Sequence, residues 1–164
     1  MKKNIFLRIR RYFFYILLVI NLLISGCNSN KKELFAVEKT FLYTNWDFDN
    51  RIAILEKELK ASEKPYKIFL ELNLTKPLEI DELPVIISII APDGAESHKP
   101  VTYYFKLKDD SFYKNIEGSL TYTKEVYTQK YFNSTGKYTF RILRKGTKYD
   151  LFGVRSIRLY AVSL

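Results

Sequence analysis

The chain has 164 residues and a formal net charge of +9, but five of its 27 cations and none of its 18 acids precede residue 27, so the remainder carries 22 − 18 = +4. Those cations are interleaved with acids, which excludes the concentrated basic face of a nucleic-acid binder. A single cysteine excludes an intramolecular disulfide framework, and 13 Tyr and 12 Phe against six Gly favour half-buried pleated sheet.

The N-terminus reads as a secretory signal. Lys2, Lys3, Arg8, Arg10 and Arg11 form a charged segment, residues 12–24 an apolar one, and Ser25-Gly26 a small-residue cleavage site. The run Leu22-Leu23-Ile24-Ser25-Gly26-Cys27 resembles a bacterial lipobox, in which the cysteine receives lipid. The apolar stretch is interrupted by Asn21 and falls short of the ~20 residues that a spanning helix needs. Residues 1–26 are therefore predicted to form a signal helix that is removed, leaving Cys27 as the lipidated first residue. Asn28 is not the aspartate that retains lipoproteins in the inner membrane of enteric bacteria, so the expected location is the outer membrane of the cell envelope. With Cys27 consumed by lipid, thiol catalysis is unavailable. Residues 27–33 are mostly polar and without periodicity, and they read as a flexible tether.

Residues 34–164 carry a series of strand-like runs broken by turn residues. The first is 34–43. The second, 51–59, is ambiguous: Ile52 and Ile54 alternate as in a strand, while Ile52, Leu55 and Leu59 also lie at helical spacing. Alternation favours the strand. In the third run Tyr66, Ile68, Leu70, Leu72 and Leu74 point one way and Lys67, Glu71 and Asn73 the other, with Phe69 breaking the polar face. The fourth, 85–90, is apolar on both faces and predicts a central strand covered on both sides. It opens after Pro84 and closes on Pro92-Asp93-Gly94, a turn in which proline fixes φ and glycine supplies positive φ. Further strands are predicted over 101–107, 119–127, 137–144 and 154–162, with loops at Asp109-Asp110-Ser111, Asn133–Gly136 and Lys145-Gly146-Thr147. About eight strands without a confident helix predict an all-β, antiparallel, jelly-roll-like sandwich.

Chemistry is sparse. The only histidine, His98, is expected in a solvated loop, with Glu96 and Asp93 as its sole nearby acids, too few for a metal site. The clusters Asp47/Asp49, Glu79/Asp81/Glu82 and Asp109/Asp110 lie in predicted loops at no recognised calcium spacing. No phosphate loop or nucleophile elbow is present. No catalytic residue, metal or cofactor is therefore predicted. Trp46, Tyr43 and Phe48 lie beside a predicted strand end. Exposed, they would stack on a sugar or anchor a protein partner; the plain alternative is that Trp46 closes the core.

Several segments together resemble the gliding-motility lipoprotein family GldH of Bacteroidetes. These are Trp46-Asp47, the strand Pro65-Tyr66-Lys67-Ile68-Phe69-Leu70-Glu71-Leu72, the strand ending in Ala91-Pro92-Asp93-Gly94, the run Gly136-Lys137-Tyr138-Thr139-Phe140, and Leu151-Phe152-Gly153-Val154 leading into the last strand. The arginine usual in that family between its third and fourth strands is missing from Asn73-Leu74-Thr75-Lys76-Pro77-Leu78. The resemblance implies an envelope lipoprotein associated with gliding and type IX secretion, and no catalytic residues. The expectation is thus a non-enzymatic lipoprotein held to the bilayer through Cys27 and acting on other envelope proteins. A carbohydrate-binding lipoprotein and an immunity or inhibitor lipoprotein against an envelope toxin are the alternatives.

Overall fold

Alternation of apolar and polar residues is carried through into burial. In the computed structural model, Tyr66, Ile68, Leu70, Leu72 and Leu74 are buried along one strand, and Leu83, Val85, Ile87 and Ile89 along the next. The structure describes residues 33–105, 112–116, 119–146 and 149–164, with the backbone alone at 112–116 and 119. The signal at 1–26, Cys27, most of the tether and Asp109-Asp110-Ser111 lie outside the described residues. Among the described residues no helix is long and apolar enough to cross a membrane.

The strands are β1 (Glu33–Thr40), β2 (Asn45–Trp46), β3 (Ile52–Leu59), β4 (Ser62–Leu74), β5 (Glu82–Ile90), β6 (Glu96–Tyr104), β7 (Phe112–Ile116), β8 (Ser119–Phe132), β9 (Gly136–Arg144), β10 (Leu151–Phe152) and β11 (Val154–Ser163). Five form one sheet in the order β1-β11-β4-β8-β7, four form a second in the order β3-β9-β5-β6, and β2 and β10 pair as a short ribbon. Every pair is antiparallel. Counting β1, β3, β4, β5, β6, β8, β9 and β11 as one to eight, the sheets run 1-8-3-6 and 2-7-4-5, which is jelly-roll wiring. The short strands β2, β7 and β10 were not anticipated.

Residues 52–59 are a strand, with Ala53, Leu55 and Leu59 buried against β9 and its neighbours. Two expectations are corrected. The second face of β5, with Ile86 and Ile90, is only half-buried, because β5 is central in its sheet while, among the described strands, no third layer covers its outer face. His98 is on β6, opposite Ser88, and not in a loop. Strand pairing extended β6 back through Pro100 to Glu96. Proline is tolerated there because β6 is an edge strand.

The core is held by contacts that cross between sheets. Phe35 of β1 stacks across the sheets on Phe140 of β9 at 5.2 Å, and within its own sheet it meets Phe132 of β8 edge-on at 5.7 Å. Phe132 in turn meets Tyr138 at 5.2 Å. The buried Tyr103 hydroxyl of β6 donates to the Leu70 carbonyl of β4 at 2.7 Å, so the aromatic ring is buried with its polar atom satisfied.

The two ends of the sandwich differ. The chain enters at Glu33, beside the C-terminus, where the Leu164 N–H reaches the Pro65 carbonyl. β1 then carries it to Thr40, a strand of eight residues and about 25 Å. At that far end lie the segment 41–51, the 75–81 loop and the ribbon strand β10.

Candidate functional site

The far end is built around Trp46. Its ring is 1% exposed and stacks on Phe41 at 5.2 Å with the planes 23° apart. Trp46 is therefore core, and it is the neighbours that reach solvent. Register pairs Trp46 with Leu151 and Asn45 with Phe152. Leu42, Tyr43, Tyr149 and Phe152 are 83, 95, 81 and 60% exposed. Phe48 is half-buried under two guanidiniums, with Arg51 5.4 Å and Arg144 5.8 Å from its ring centroid. The three aromatics singled out in the sequence thus separate into a core residue, a fully exposed one and the floor of a cationic cleft.

Conformational strain collects here. Tyr43 and Thr44 have φ of 54° and 53°, the left-handed region that costs non-glycine residues of order 1–3 kcal/mol each. Thr44 is β-branched, which makes its conformation the rarer of the two. The turn is held because the Thr44 carbonyl accepts the Gly153 N–H at 2.8 Å and the Gly153 carbonyl accepts the Thr75 N–H at 2.8 Å. Gly153 itself has φ +101°, and a Cβ there would fall 2.9 Å from Lys76 Cγ, so only glycine fits. The Trp46 Nε1 and Asn45 Oδ1 are buried without a hydrogen-bond partner among the described residues. Strained backbone and unsatisfied buried groups persist where function or surrounding structure requires them.

Asp150 organises the polar part. One carboxylate oxygen accepts the Phe48 N–H at 2.7 Å, and the other accepts the Asn45 amide at 3.3 Å. The same amide donates to Asp47 at 2.5 Å. Arg144 is 2% exposed and its Nη1 donates to the Tyr149 carbonyl at 2.7 Å. Arg144 is thus a buried clamp between the end of β9 and the start of β10. Burial pulls its guanidinium below the ordinary arginine value, and the nearby charge of Arg51 adds to this; Asp150 and Asp47 oppose it. An arginine still stays charged at neutral pH. The sequence pattern held one signal for it: Tyr138, Phe140 and Ile142 face inward, and Arg144 is next in the same register.

The backbone bond from Phe48 and then the Asn45 amide hold the Asp150 carboxyl below its ordinary value of 3.8. A depressed folded-state pKa contributes stability above the unfolded value, and that stability is lost as pH falls through the lower folded one. Acidification below about pH 4 is therefore expected to loosen this end. Trp46, the only tryptophan, reports it. Its fluorescence should change on titration from pH 5 to pH 2, and Asp150→Asn should flatten that change. Superimposable curves for the two chains would sink the assignment.

Two clefts open at this end. One of about 430 Å³ lies between Pro77, Leu78 and Ile80 of the 75–81 loop and the rings of Tyr149 and Phe152. The other, of about 270 Å³, is lined by Phe48, Arg51, Leu143, Arg144, Lys145 and Gly146.

The other sequence candidates are elsewhere. His98 is exposed; its Nδ1 is 2.7 Å from the Ser88 hydroxyl and 3.8 Å from Glu96. Asp93 accepts the Ala95 N–H within its turn. Among the described residues no three His, Cys, Asp or Glu side chains group closely enough to hold a metal ion. Arg51, Arg144, Tyr149, Asp150 and Phe152 are the site residues that sequence reasoning missed.

No family profile matches the chain, and no curated protein matches it. Among solved structures it is similar to the crystal structure of CBM28, a non-crystalline cellulose specific carbohydrate-binding module, at 12% identity and a TM-score of 0.40, over 83% of this chain and 75% of that one. At that level the likeness carries no argument about a ligand.

Proposed function

We propose that this chain is a lipid-anchored envelope protein without chemistry of its own, and that it holds a protein partner against the far end of its sandwich. The observation that carries this reading is the group of exposed apolar side chains, Leu42, Tyr43, Tyr149 and Phe152, set on a strained and tightly tied turn. Tyrosine and phenylalanine on a rigid support lose little entropy on contact, which suits them to anchor a partner. The lipobox ending at Cys27 supports attachment to the bilayer. β1 begins at Glu33, and the aromatic end lies beyond the other end of that strand. The segments resembling GldH support the finer reading, that the partner belongs to the gliding and type IX secretion apparatus of the outer membrane.

A photo-crosslinking residue at Tyr43 or Phe152, in the intact lipoprotein in cells, tests this. It should capture envelope proteins, while the same residue at Glu58, near the tether end, should not. Equal capture at both places would overturn the binding assignment. Deletion of the gene tests the finer reading: normal surface spreading and normal cargo secretion would remove the motility role and leave the binding role standing.

One observation favours a second reading, carbohydrate binding. On the outer face of the five-stranded sheet, Phe69 and Tyr160 stack at 5.3 Å and 16°, with the Arg158 guanidinium 4.5 Å from the Tyr160 ring centroid. Asn73, Ser156 and Thr121 form a hydrogen-bonded row beside them. Glycan-array binding lost on Tyr160→Ala would favour this face over the aromatic end. Trp46 would not take part, because it is buried.

A further inference from the structure

We infer that the cleft of Phe48, Arg51 and Lys145 is an oxyanion site that receives one carboxylate of the partner, an acidic residue flanked by apolar ones; this rests on the protein-binding reading of the far end. Among the described residues the cleft is lined by three cations, Arg51, Arg144 and Lys145, and by no acid. Two nearby acids are engaged elsewhere, Asp150 by the Phe48 N–H and Asn45 and Asp47 by Asn45, while Asp49 is exposed and does not line the cleft. Among the described residues neither Arg51 nor Lys145 forms an ion pair. Two guanidiniums over one ring and an ammonium beside them repel one another, and an incoming anion relieves that repulsion.

Size and charge select the anion. A volume of about 270 Å³ takes a single small group, below the usual range for a whole small-molecule ligand. Asp47 and Asp150 act electrostatically on Arg144, and Asp49 follows Phe48 in the chain, so the cations are partly offset and a singly charged carboxylate suits the cleft better than a dianionic phosphate. A planar guanidinium fork also suits a carboxylate in bidentate geometry. The exposed rings of Tyr149 and Phe152 belong to the same end, which supplies apolar contact for the residues flanking the acid.

The test uses the full lipidated chain in detergent micelles with arginine labelled in ¹⁵N. Acetate and a capped aspartate are titrated first, then glucuronate and inorganic phosphate, each followed through the Arg51 and Arg144 Nε–H signals. The inference expects saturable shifts with acetate and capped aspartate, weakened at least tenfold in Arg51→Gln/Lys145→Gln and partly restored in Arg51→Lys/Lys145→Gln. Both substituted residues are exposed, so the fold is retained. The double variant should also lose crosslinking from Tyr43. Absence of saturation overturns the anion site, tenfold tighter binding of phosphate overturns the carboxylate assignment, and tenfold tighter binding of glucuronate than of capped aspartate overturns the protein partner in favour of a sugar acid. Carboxylate binding with unchanged Tyr43 crosslinks would detach the cleft from the partner and leave the binding role of the aromatic end intact.

Discussion

Phe140→Ala is expected to lower stability by about 3–5 kcal/mol, the range for truncating a large aromatic in a packed core. Phe140 is fully buried. It sits on β9, which pairs with β3 on one side and β5 on the other, so it has Leu55 and Ile89 as register neighbours. Its ring also stacks on Phe35 across the sandwich. Removing it opens a cavity bordered by strands of both sheets, and regular sheet hydrogen bonding prevents those strands from closing in. For a domain with an ordinary total of roughly 5–15 kcal/mol, this is a large fraction. Urea unfolding should show the midpoint falling by about 1–3 M with the slope unchanged. Phe140→Leu, which keeps most of the volume, should lose much less and remain folded if the alanine chain does not. Phe152→Ala, at an exposed position, supplies the contrast, with an expected change within about 0.5 kcal/mol. A loss at Phe140 no larger than at Phe152 would contradict the way the two sheets are packed.

The contrast between those phenylalanines also explains what could be read from the sequence. Strands that alternate announce themselves, and the inward rows of β4 and β9 follow directly from Tyr66 through Leu74 and from Tyr138 through Ile142. Residues 52–59 form the strand that the alternation of Ile52 and Ile54 favoured, but those two side chains are 45% and 52% exposed, and the row buried beside β9 is Ala53, Leu55 and Leu59. Tertiary packing outweighs local propensity in such a case. What alternation cannot convey is pairing. His98 and Pro100 look like loop residues until β5 provides a partner for them. Ribbon strands of two residues, such as β2 and β10, have no period to detect.

The site was legible only in part, and for a related reason. Trp46, Tyr43 and Phe48 marked the correct stretch of chain, because aromatics near a strand end draw notice. Their separate fates depended on residues about a hundred positions away. Asp150 fixes the Phe48 backbone, Gly153 ties down the turn at Thr44, and Leu151 pairs with Trp46. A short segment just before the last long strand thus decides which aromatic is buried and which is displayed. The tyrosine at 43 faces solvent because the turn takes left-handed dihedrals, and those are stable only while Gly153 accepts and donates its two backbone bonds.

Cys27→Ser should abolish incorporation of labelled palmitate and shift the protein out of the washed membrane fraction by at least tenfold, while Asn28→Ala leaves both unchanged. A buried methylene adds about 0.8 kcal/mol, and one acyl chain alone gives only reversible attachment, so a lasting anchor needs the two or more chains that a lipobox cysteine carries. Residues 12–24 cannot substitute for it, being too short and interrupted by Asn21. The folded domain should be indifferent, since its core begins at Phe35 and unfolding in urea would be unaltered. The loss should instead appear in binding. A chain anchored in this way is confined to a layer over the membrane, where a partner in the same envelope is met at an effective concentration approaching millimolar. Without the lipid that confinement ends, and crosslinks from Tyr43 should fall with the membrane fraction although every contact residue is intact. Palmitate-free protein that still pellets with membranes and still crosslinks from Tyr43 would refute the anchor and the advantage argued from it.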